Sequence, residues 1–435
     1  MNKKRLLPLL MGLFFLMSNF LPLVTVFAEE TDFQIEAKAA LSVDVETGKI
    51  FYNQNGDEKM GIASITKLIS IYLVEKEVAE GRLSWDEEIT IDEEVAALST
   101  HPLLSNVPLY PEFTYTVQEL YDSTMIQSAN ASIMALAIRI AGSEAAFVDM
   151  MKAQLAEWGI QDAQIVNSSG LNNEYLTTLY PGSQEDDENL LTARELAIVA
   201  RHLIQDFPHI LEVAATHTKV FGEHTYSPVE MENWNWLLPE SHFPKDGVDG
   251  LKTGTTDLAG ACFVGTMTKD GQRIITVVLN ATNHEDDPAA RFTETARLMD
   301  YSYDNWRQEE IIAAGDTVPD FPVAPVHEGK EPSVPVIAAQ ALIAWLPTSV
   351  DSETLTFTVE LMENLLTDGE LQAPIAQGTS VGTFEVNLDD SLGYLEEDDQ
   401  TTLMGAIQTT QEVERVNFFV RLYRSLYTTV SGWFN

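Results

Sequence analysis

The sequence predicts an α+β fold in which strands come first, helices fill the middle of the chain, and strands return. A smaller β-rich part and a C-terminal amphipathic helix are expected to follow. Two patterns of alternating polarity predict β-hairpins, and two motifs between them have the form of a helix capping box. In chain order these observations lie at residues 40–52, at Thr116-Val-Gln-Glu119, at Thr192-Ala-Arg-Glu195 and at residues 260–281.

The first predicted elements are a hairpin and a long helix. Glu46-Thr-Gly-Lys49 supplies the tight glycine turn of the hairpin, where we expect the main domain to start. From Ser64 onward apolar residues recur at helical spacing until Gly81 stops the pattern. Ser64 is therefore expected at a helix N-terminus.

The middle of the chain is predicted to be mostly helical. Each capping box opens an apolar periodic run, at residues 120–126 and at residues 196–204. The second hairpin then turns at Lys269-Asp-Gly-Gln272. A last helix, from Arg291 to about Trp306, is expected to lie back across the sheet, because helices between two sets of strands are typical of an α+β domain.

Residues 316–335 contain five prolines, which exclude a helix and mark a boundary. Beyond this boundary, residues 357–361 and 381–386 alternate in polarity as short strands do. The apolar run at residues 338–345 fits either a helix or a continuous buried strand. The sequence thus predicts a small β-rich domain and leaves that one element open.

The C-terminus differs in charge from the rest of the chain. On a helical wheel, residues 416–434 place most of their apolar and aromatic side chains on one face, opposite Arg421 and Arg424. No acidic residue follows Arg415, which is the pattern that anionic lipid headgroups favour. We expect this helix to bind a membrane surface; the alternative is a helix that packs on the protein's own domains.

The N-terminus has the pattern of a secretory signal. Lys3, Lys4 and Arg5 precede a long apolar stretch, and small residues before Glu29 predict cleavage after Ala28. A retained transmembrane anchor is the alternative, because the apolar stretch is just long enough to span a bilayer.

The composition excludes some partners. The 435 residues carry a formal net charge of −42, which excludes binding to nucleic acid and favours a solvated surface. The single cysteine, Cys262, cannot form an intramolecular disulfide and is expected to be a buried core residue. The eight histidines show no metal-ligand spacing, so neither a metal nor a cofactor is expected.

Three short motifs predict an active-site serine: Ser64-Ile-Thr-Lys67, Ser128-Ala-Asn130 and Lys252-Thr-Gly254. A serine hydroxyl is a weak nucleophile that needs a base within reach, and Lys67 lies one helical turn away on the same face. The positive end of the helix and the like charge of Lys252 would both favour a neutral Lys67. Each motif alone is weak, but their conjunction in this order is strong.

Together the motifs resemble those of serine penicillin-binding proteins and β-lactamases. The surrounding segments narrow the resemblance to the D-alanyl-D-alanine carboxypeptidases of the peptidase S11 family. These segments are Ala63-Ser-Ile-Thr-Lys-Leu68, Ile126-Gln-Ser-Ala-Asn-Ala131, Val166-Asn-Ser-Ser-Gly-Leu171 and Val248-Asp-Gly-Leu-Lys-Thr-Gly-Thr-Thr256.

The resemblance covers roughly residues 33–435 and implies a domain order. A signal peptide at residues 1–28 would precede a penicillin-binding, β-lactamase-like catalytic domain of antiparallel sheet and helices at residues 29–309. A small β-rich domain at residues 310–405 and an amphipathic membrane-anchoring helix at residues 406–435 would follow.

The resemblance also implies a reaction and a location. The enzyme would remove the terminal D-alanine from peptidoglycan stem peptides ending in D-Ala-D-Ala, through an acyl-enzyme on Ser64 that water resolves. β-Lactam antibiotics would acylate the same serine as covalent inhibitors. The protein would be exported to the outer face of the bacterial cytoplasmic membrane.

Roles for the motif residues follow from the same resemblance. Lys67 would take the proton of Ser64, Ser128 would pass a proton to the leaving amine, and Asn130 would bond Lys67 and the substrate amide. The backbone N–H groups of Ser64 and Thr255 would form the oxyanion hole.

A second group would hold the substrate's terminal carboxylate. Lys252 would supply a countercharge, and Thr253 and Thr255 would supply hydroxyls, while Gly254 would let the substrate backbone approach closely. Arg291 resembles an additional carboxylate-binding arginine; the alternative is a surface charge at the start of a helix.

Several alternatives stay open. A class A β-lactamase would need a glutamate in an E-x-x-L-N context, which Glu188-Asn-Leu-Leu-Thr192 only half fits. A transpeptidase is chemically closer, because the sequence does not show whether water or an amine is the preferred acceptor. A non-catalytic, membrane-bound wall-binding scaffold is a further alternative, and the intact motif residues argue against it. Asn130, Asn167 and Asn280 begin glycosylation sequons, which are chance matches if the protein is bacterial.

Overall fold

A computed structural model describes residues 33–396, 399 and 403–420. The expected signal peptide at residues 1–28 lies outside these residues, as does most of the expected terminal helix.

A five-stranded antiparallel sheet, in the order β2-β1-β11-β10-β9, forms the centre of the first half of the chain. Both predicted hairpins are confirmed, because β1 pairs with β2 and β10 pairs with β11. The strands are β1 (Ala37–Asp44), β2 (Ile50–Gln54), β9 (Val248–Thr256), β10 (Gly260–Lys269) and β11 (Gln272–Ala281). Six shorter strands lie between β2 and β9 along the chain: β3 (Met60–Gly61), β4 (Glu88–Thr90), β5 (Thr114–Thr116), β6 (Leu190–Leu191), and β7 (Thr218–Phe221) with β8 (Val229–Glu232) as a hairpin.

Helices cover both faces of this sheet. They are α1 (Lys67–Ala79), α2 (Glu93–Ser99), α3 (Val117–Ile126), α4 (Asn130–Ala141), α5 (Glu144–Glu157), α6 (Ala193–Asp206), α7 (Ile210–Ala214) and α8 (Ala290–Asn305). Both predicted capping boxes are present, at the starts of α3 and α6. The prediction of a mostly helical middle is therefore confirmed.

Strand residues alternate between two apolar cores. Leu41 and Val277 face a large core that they share with helices such as α1, α4 and α6. Ile274 and Phe263 face a second core, which contains Phe292 of α8. The last helix of this half therefore lies across the sheet, as the sequence predicts, and both faces of the sheet are buried.

The second half of the chain is β-rich. A seven-stranded sheet, in the order β16-β19-β20-β14-β13-β18-β17, has its own apolar core, and β12 pairs with β15 beside it. The strands are β12 (Trp306–Ile312), β13 (Val323–His327), β14 (Ser333–Ala338), β15 (Leu342–Pro347), β16 (Thr356–Leu361), β17 (Leu366–Thr367), β18 (Glu370–Gln372), β19 (Ser380–Asn387) and β20 (Met404–Thr409).

Three details of the β-rich part bear on what the sequence predicts there. The run at residues 338–345 is neither a helix nor one strand, because a turn at residues 339–341 separates β14 from β15. The proline-rich stretch at residues 316–335 contains β13 and the start of β14, since proline is compatible with strands at positions that donate no ladder hydrogen bond. Strand β20 occupies residues that we expected in the terminal helix, because Ile407 and Thr409 alternate toward the core.

A segment between β19 and β20, which we call the acidic arm (residues 388–396), reaches the first half of the chain. Lys49 is fully buried, and its Nζ bonds Asp390 Oδ2 at 2.6 Å and the Gly393 carbonyl at 2.8 Å. Its ammonium also lies 4.6 Å from the centre of the Trp306 ring. This buried cation therefore joins the arm, the hairpin and the start of β12.

Residues beyond β20 return to the sheet and then become helical. Val413 pairs with Ile375, and Arg415 pairs with Gly329. Residues 418–420 are helical, and Phe418 and Phe419 are exposed. Among the residues that the structure covers, no single helix is long and apolar enough to cross a membrane, and α4 with α5 passes that test only as a pair bent by 84°.

Candidate active site

Ser64 lies in a tight turn that leads into α1. Residues Ala63–Thr66 form a 3₁₀ turn, and α1 begins at Lys67, so the expectation of a serine at a helix start is confirmed. Ala63 has a φ of +46°, an unfavourable backbone conformation for a residue with a Cβ. Such strain is typical of functional sites, where the surrounding structure holds it in place.

The amine of Lys67 has three close neighbours. Its Nζ lies 2.9 Å from Ser64 Oγ, 2.7 Å from Asn130 Oδ1 and 2.8 Å from the carbonyl oxygen of Ser169. Asn130 Oδ1 and the Ser169 carbonyl can only accept hydrogen bonds, so the amine donates to both. A neutral amine has two N–H bonds and one lone pair, so the lone pair is left for the Ser64 hydroxyl.

Burial favours this neutral amine. The pKa of Lys67 is held well below its usual range, first because the side chain is removed from water and second because of the charge of Lys252. The like charge was expected from the sequence, whereas burial, which is the larger cause, was not. Burial also lowers the pKa of Lys252 to about 7, with a further contribution from Arg291.

The Ser169 carbonyl is a site group that the sequence did not reveal. The side-chain amide of Asn167 orders the turn that contains Ser169, because Asn167 Oδ1 accepts from the Gly170 backbone N–H at 2.6 Å. Asn189 in turn donates to the Asn167 carbonyl and to Thr66 Oγ1, both at 2.9 Å. The family resemblance at residues 166–171 is the sequence signal for this part of the site, but it does not indicate that a backbone carbonyl contacts Lys67.

The second motif forms the turn between α3 and α4, as predicted. Ser128 has a φ of +60° and is largely buried. Asn130 donates through Nδ2 to the Ser105 carbonyl at 3.0 Å, so one of its two N–H bonds is used within the protein. Asn130 and Asn167 are both buried, which does not fit the exposed loop that a glycosylation site requires.

The third motif lies on β9, at the edge of the five-stranded sheet, as predicted. A Cβ placed on Gly254 would lie 2.8 Å from the Ile62 carbonyl oxygen and close to Ala63. Glycine is thus needed here for the contact between β9 and the nucleophile turn, which is a different reason from the expected approach of a substrate backbone. Lys252 is buried, and its Nζ donates to the Thr253 carbonyl at 3.0 Å.

Arg291 is directed into the site. Its guanidinium donates to the Gly254 carbonyl at 2.9 Å, to the Cys262 carbonyl at 3.2 Å and to Thr255 Oγ1 at 2.8 Å. The alternative of a surface charge at a helix start is therefore wrong, because the side chain leaves the helix to bond β9 and β10.

One cleft of about 550 Å³ connects these groups. Ser64, Ser128, Thr253, Gly254, Thr255 and Arg291 line it. Lys67, Asn130 and Lys252 lie behind this lining as buried residues. The structure thus brings all nine predicted site residues to one place.

Cys262 lies on β10, behind this cleft. It is fully buried, and burial raises the pKa of its thiol to about 11, which suits a core residue rather than a nucleophile. Among the residues that the structure describes, no group of three or more histidine, cysteine or carboxylate side chains is placed to hold a metal.

Two family models match the chain. The model of the D-alanyl-D-alanine carboxypeptidases of peptidase family S11 matches residues 25–283, which include every residue of the site except Arg291. The model of the C-terminal domain of penicillin-binding protein 5 matches residues 306–414, which form the β-rich part.

Known proteins resemble the chain over most of its length. The D-alanyl-D-alanine carboxypeptidase DacF of Bacillus subtilis (strain 168) is 24% identical over 429 residues, which are 98% of each chain. A crystal structure of PBP3 from Streptococcus pneumoniae, described as a peptidoglycan synthesis regulatory factor, is 38% identical with a TM-score of 0.70. That comparison covers 87% of this chain and all of the other.

An ampicillin-bound structure is also similar. Penicillin-binding protein D2 from Listeria monocytogenes is 31% identical with a TM-score of 0.51, and the match covers 62% of this chain and 99% of that one. With the family model over more than half of the sequence and the three motifs in one cleft, the chain belongs to the D-alanyl-D-alanine carboxypeptidase family of serine hydrolases, peptidase family S11.

Proposed function

We propose that the protein is a serine D-Ala-D-Ala carboxypeptidase that removes the terminal D-alanine from peptidoglycan stem peptides and so limits cell-wall cross-linking. The observation that carries this proposal is the arrangement around Lys67. Two acceptors take its N–H bonds, and the remaining neighbour is the hydroxyl that must lose a proton.

The proposed reaction has two steps. Ser64 Oγ attacks the carbonyl carbon of the penultimate D-alanine while its proton moves to Lys67. The C–N bond then breaks, Ser128 passes a proton to the leaving amine, and free D-alanine departs. Water attacks the resulting ester, which regenerates the Ser64 hydroxyl and releases the shortened stem peptide.

Recognition of the free carboxylate is assigned to β9 and α8. Arg291 and the Thr255 hydroxyl are bonded to each other within the cleft, and Lys252 lies buried beside them. A terminal carboxylate bound to Arg291 and Thr255 would place the preceding amide bond beside Ser64. The N–H groups of Ser64 and Thr255 would then stabilise the oxyanion, a contribution of about a hundredfold or more in rate.

The location of the enzyme is part of the proposal. Export by the N-terminal segment and attachment of the C-terminal helix to the outer membrane surface would hold the enzyme next to its cell-wall substrate. Phe419, an exposed aromatic residue on the predicted apolar face at the start of that helix, supports membrane binding, whereas the exposed Phe418 falls on the polar side. Flotation of the protein with anionic liposomes, compared with a form lacking residues 418–435, tests this attachment.

The proposal predicts a covalent adduct on one serine. The intact mass of the purified protein should increase by one penicillin in wild type but not in Ser64→Ala, and only wild type should release D-alanine from a peptide ending in D-Ala-D-Ala. Ser380→Ala is the matched control, because Ser380 is exposed on β19 in the β-rich part and should leave both results unchanged.

The outcomes separate the alternatives. An adduct without release of D-alanine would favour a transpeptidase, and the absence of any adduct would favour a non-catalytic scaffold. Fast turnover of the penicillin would favour a β-lactamase. Against that last possibility, Glu188 is bonded to Thr256 and Asn172 at 2.6 and 2.7 Å, and it does not line the cleft.

A further inference from the structure

The cleft carries charge on one wall only. Among the described residues that line it, Arg291 is the only charged side chain, and it is bonded to β9. The opposite wall, around the turn that carries Ser128, is formed largely by apolar side chains and amides. No acidic residue within the described part of the chain lines the cleft.

Two large apolar side chains on that wall are exposed. Leu103 is 77% exposed and Trp234 is 47% exposed, although most side chains of this size in the domain are buried. Both line the cleft with Ser64 and Ser128. Exposed apolar surface within a cleft is typical of a ligand contact.

Both side chains belong to segments that bond the same backbone group. Trp234 Nε1 donates to the Gln127 carbonyl at 3.3 Å, and Ser105 Oγ donates to the same oxygen at 2.9 Å. Gln127 directly precedes Ser128, so the segments of Leu103 and Trp234 are held beside the catalytic turn. The position of these two segments is therefore fixed relative to Ser64 and Ser128.

The segment of Trp234 is also held by hydrogen bonds from the asparagines on either side of it. Asn233 and Asn235 are buried, and Asn233 Nδ2 donates to the carbonyls of Ala214 and Thr216, both at 3.0 Å. Asn235 Nδ2 donates to the Gly250 carbonyl on β9 at 3.3 Å. Trp234 thus lies between two asparagines whose side chains are hydrogen-bonded to the rest of the fold, and its indole lines the cleft.

We infer that Leu103 and Trp234 form a specificity subsite for the side chain of the stem residue that precedes D-Ala-D-Ala, and that they select an aliphatic side chain without a free carboxylate. The inference rests on the proposed function. With the leaving D-alanine on the wall of Arg291, the donor chain continues past Ser64 toward the opposite wall.

The apolar side chains of Leu103 and Trp234 explain why an aliphatic side chain should be preferred over a carboxylate. An aliphatic side chain would cover Leu103 and the face of Trp234 and remove apolar surface from water. A carboxylate in the same place would lose water without meeting a cation, which is unfavourable. The net charge of −42 would oppose that carboxylate further.

A pair of donors of equal length tests the subsite in the full chain. N-acetyl-L-norleucyl-D-Ala-D-Ala and N-acetyl-L-2-aminoadipyl-D-Ala-D-Ala differ in a terminal methyl or carboxylate. We expect kcat/KM for release of D-alanine to be at least about tenfold higher for the norleucyl donor. Equal values for the two donors would overturn the inference.

A positive charge added to the subsite should affect kcat/KM differently for the two donors. Leu103→Arg should raise kcat/KM for the aminoadipyl donor about three- to fivefold and should not raise it for the norleucyl donor. The matched control is Ile343→Arg, because Ile343 is 50% exposed on β15 and adds the same charge in the β-rich part. An equal change for both donors in Leu103→Arg would also overturn the inference.

The proposed function and the subsite can fail separately. If no donor releases D-alanine, the carboxypeptidase proposal fails. The subsite is then tested by the rate at which Ser64 is acylated by two penicillins that carry hexanoyl or adipoyl side chains. Faster acylation by the hexanoyl compound, reduced in Leu103→Arg, would support the subsite; equal rates would exclude it.

Discussion

The reactivity of Ser64 depends on the protonation state of the buried Lys67 amine. Asn130 and the Ser169 carbonyl both accept from Lys67, and they leave only a lone pair toward Ser64. A charged lysine would instead need three acceptors and would donate to the hydroxyl that it should deprotonate. Burial, which lowers the pKa of Lys67, is therefore the physical condition for catalysis.

The rate should depend on pH in two opposite ways. Deprotonation of Lys67 activates Ser64, so kcat/KM should first rise with pH. Lys252 loses its charge near pH 7, where its lowered pKa lies, and the affinity for a terminal carboxylate should fall above it. A bell-shaped profile is therefore expected when D-alanine release is measured from about pH 5 to about pH 9. Its alkaline limb should lie near the lowered Lys252 pKa of about 7.

The alkaline limb of this profile has its own control. Lys252→Arg keeps a cation at every pH in this range, because a guanidinium does not lose its proton. The fall on the alkaline side should therefore disappear in this variant, while the acid limb stays in place. A profile without any pH dependence in wild type would show that neither lysine titrates in the working enzyme.

The sequence predicted the side chains of the site better than its backbone. The motif residues could be named because their chemistry is carried by serine, lysine and asparagine side chains at recognisable spacings. The Ser169 carbonyl could not, since every residue has a carbonyl and only the fold directs it. Trp234 was missed as well, because an exposed tryptophan has no spacing that relates it to Ser128.

At the scale of elements, local sequence rules decide where helices begin. In the box that starts α6, Thr192 Oγ1 accepts from the Glu195 N–H at 3.0 Å, and Glu195 accepts from the Thr192 N–H at 2.7 Å. Both groups are otherwise unpaired donors of a helix N-terminus. These contacts involve neighbouring residues, which is why the sequence predicted the helix start.

Removing this cap should have a measurable cost. We expect Thr192→Ala to lower the free energy of unfolding by about 1 kcal/mol, because one backbone N–H of the first turn loses its partner. Urea unfolding of the full chain measures the effect. Thr192→Ser keeps the hydroxyl and should retain most of the stability; equal losses in both variants would show that the methyl group of Thr192, and not the cap, is responsible.

Elements that depend on distant partners were predicted less well. Strands β14 and β15 are separated by a turn whose only local signal is a short polar interruption at Gln340. Strand β20 pairs with β14, which is distant in the sequence, as well as with β19, and its local pattern alone places it in the terminal helix. Strand pairing between distant segments is set by the whole fold rather than by local pattern.

At the scale of the whole molecule, Lys49 connects the two halves of the chain. Its ammonium is fully buried against Asp390 of the acidic arm, and burial lowers its pKa. Arg201 on α6 bonds Glu396 and Asp399 nearby, each at 2.8 Å. The acidic arm is thus held by two cations of the first half.

Breaking the Lys49 contact should destabilise the protein. Lys49→Met leaves Asp390 with 9% side-chain exposure and without its cation, and we expect a loss of about 3–5 kcal/mol in the free energy of unfolding. The double variant Lys49→Met/Asp390→Leu should recover part of this loss, because no charge is then left buried. Urea unfolding of the full chain provides the comparison.

A surface pair serves as the control for this prediction. Lys330 and Glu414 form an ion pair in which both side chains are mostly exposed, so Lys330→Met should change stability little. If Lys49→Met were as mild as Lys330→Met, the arm would not be anchored by its buried cation.

The acidic arm also bears on association between copies of the protein. Ile50 N–H donates to the Gly393 carbonyl and Leu395 N–H donates to the Gly48 carbonyl, so the arm pairs with the outer border of the sheet where β2 begins. An uncovered border of a sheet recruits any extended chain, including a neighbouring copy. Of the two borders of the five-stranded sheet, the arm occupies the start of one, and the other, β9, is where an extended stem peptide would lie beside Ser64.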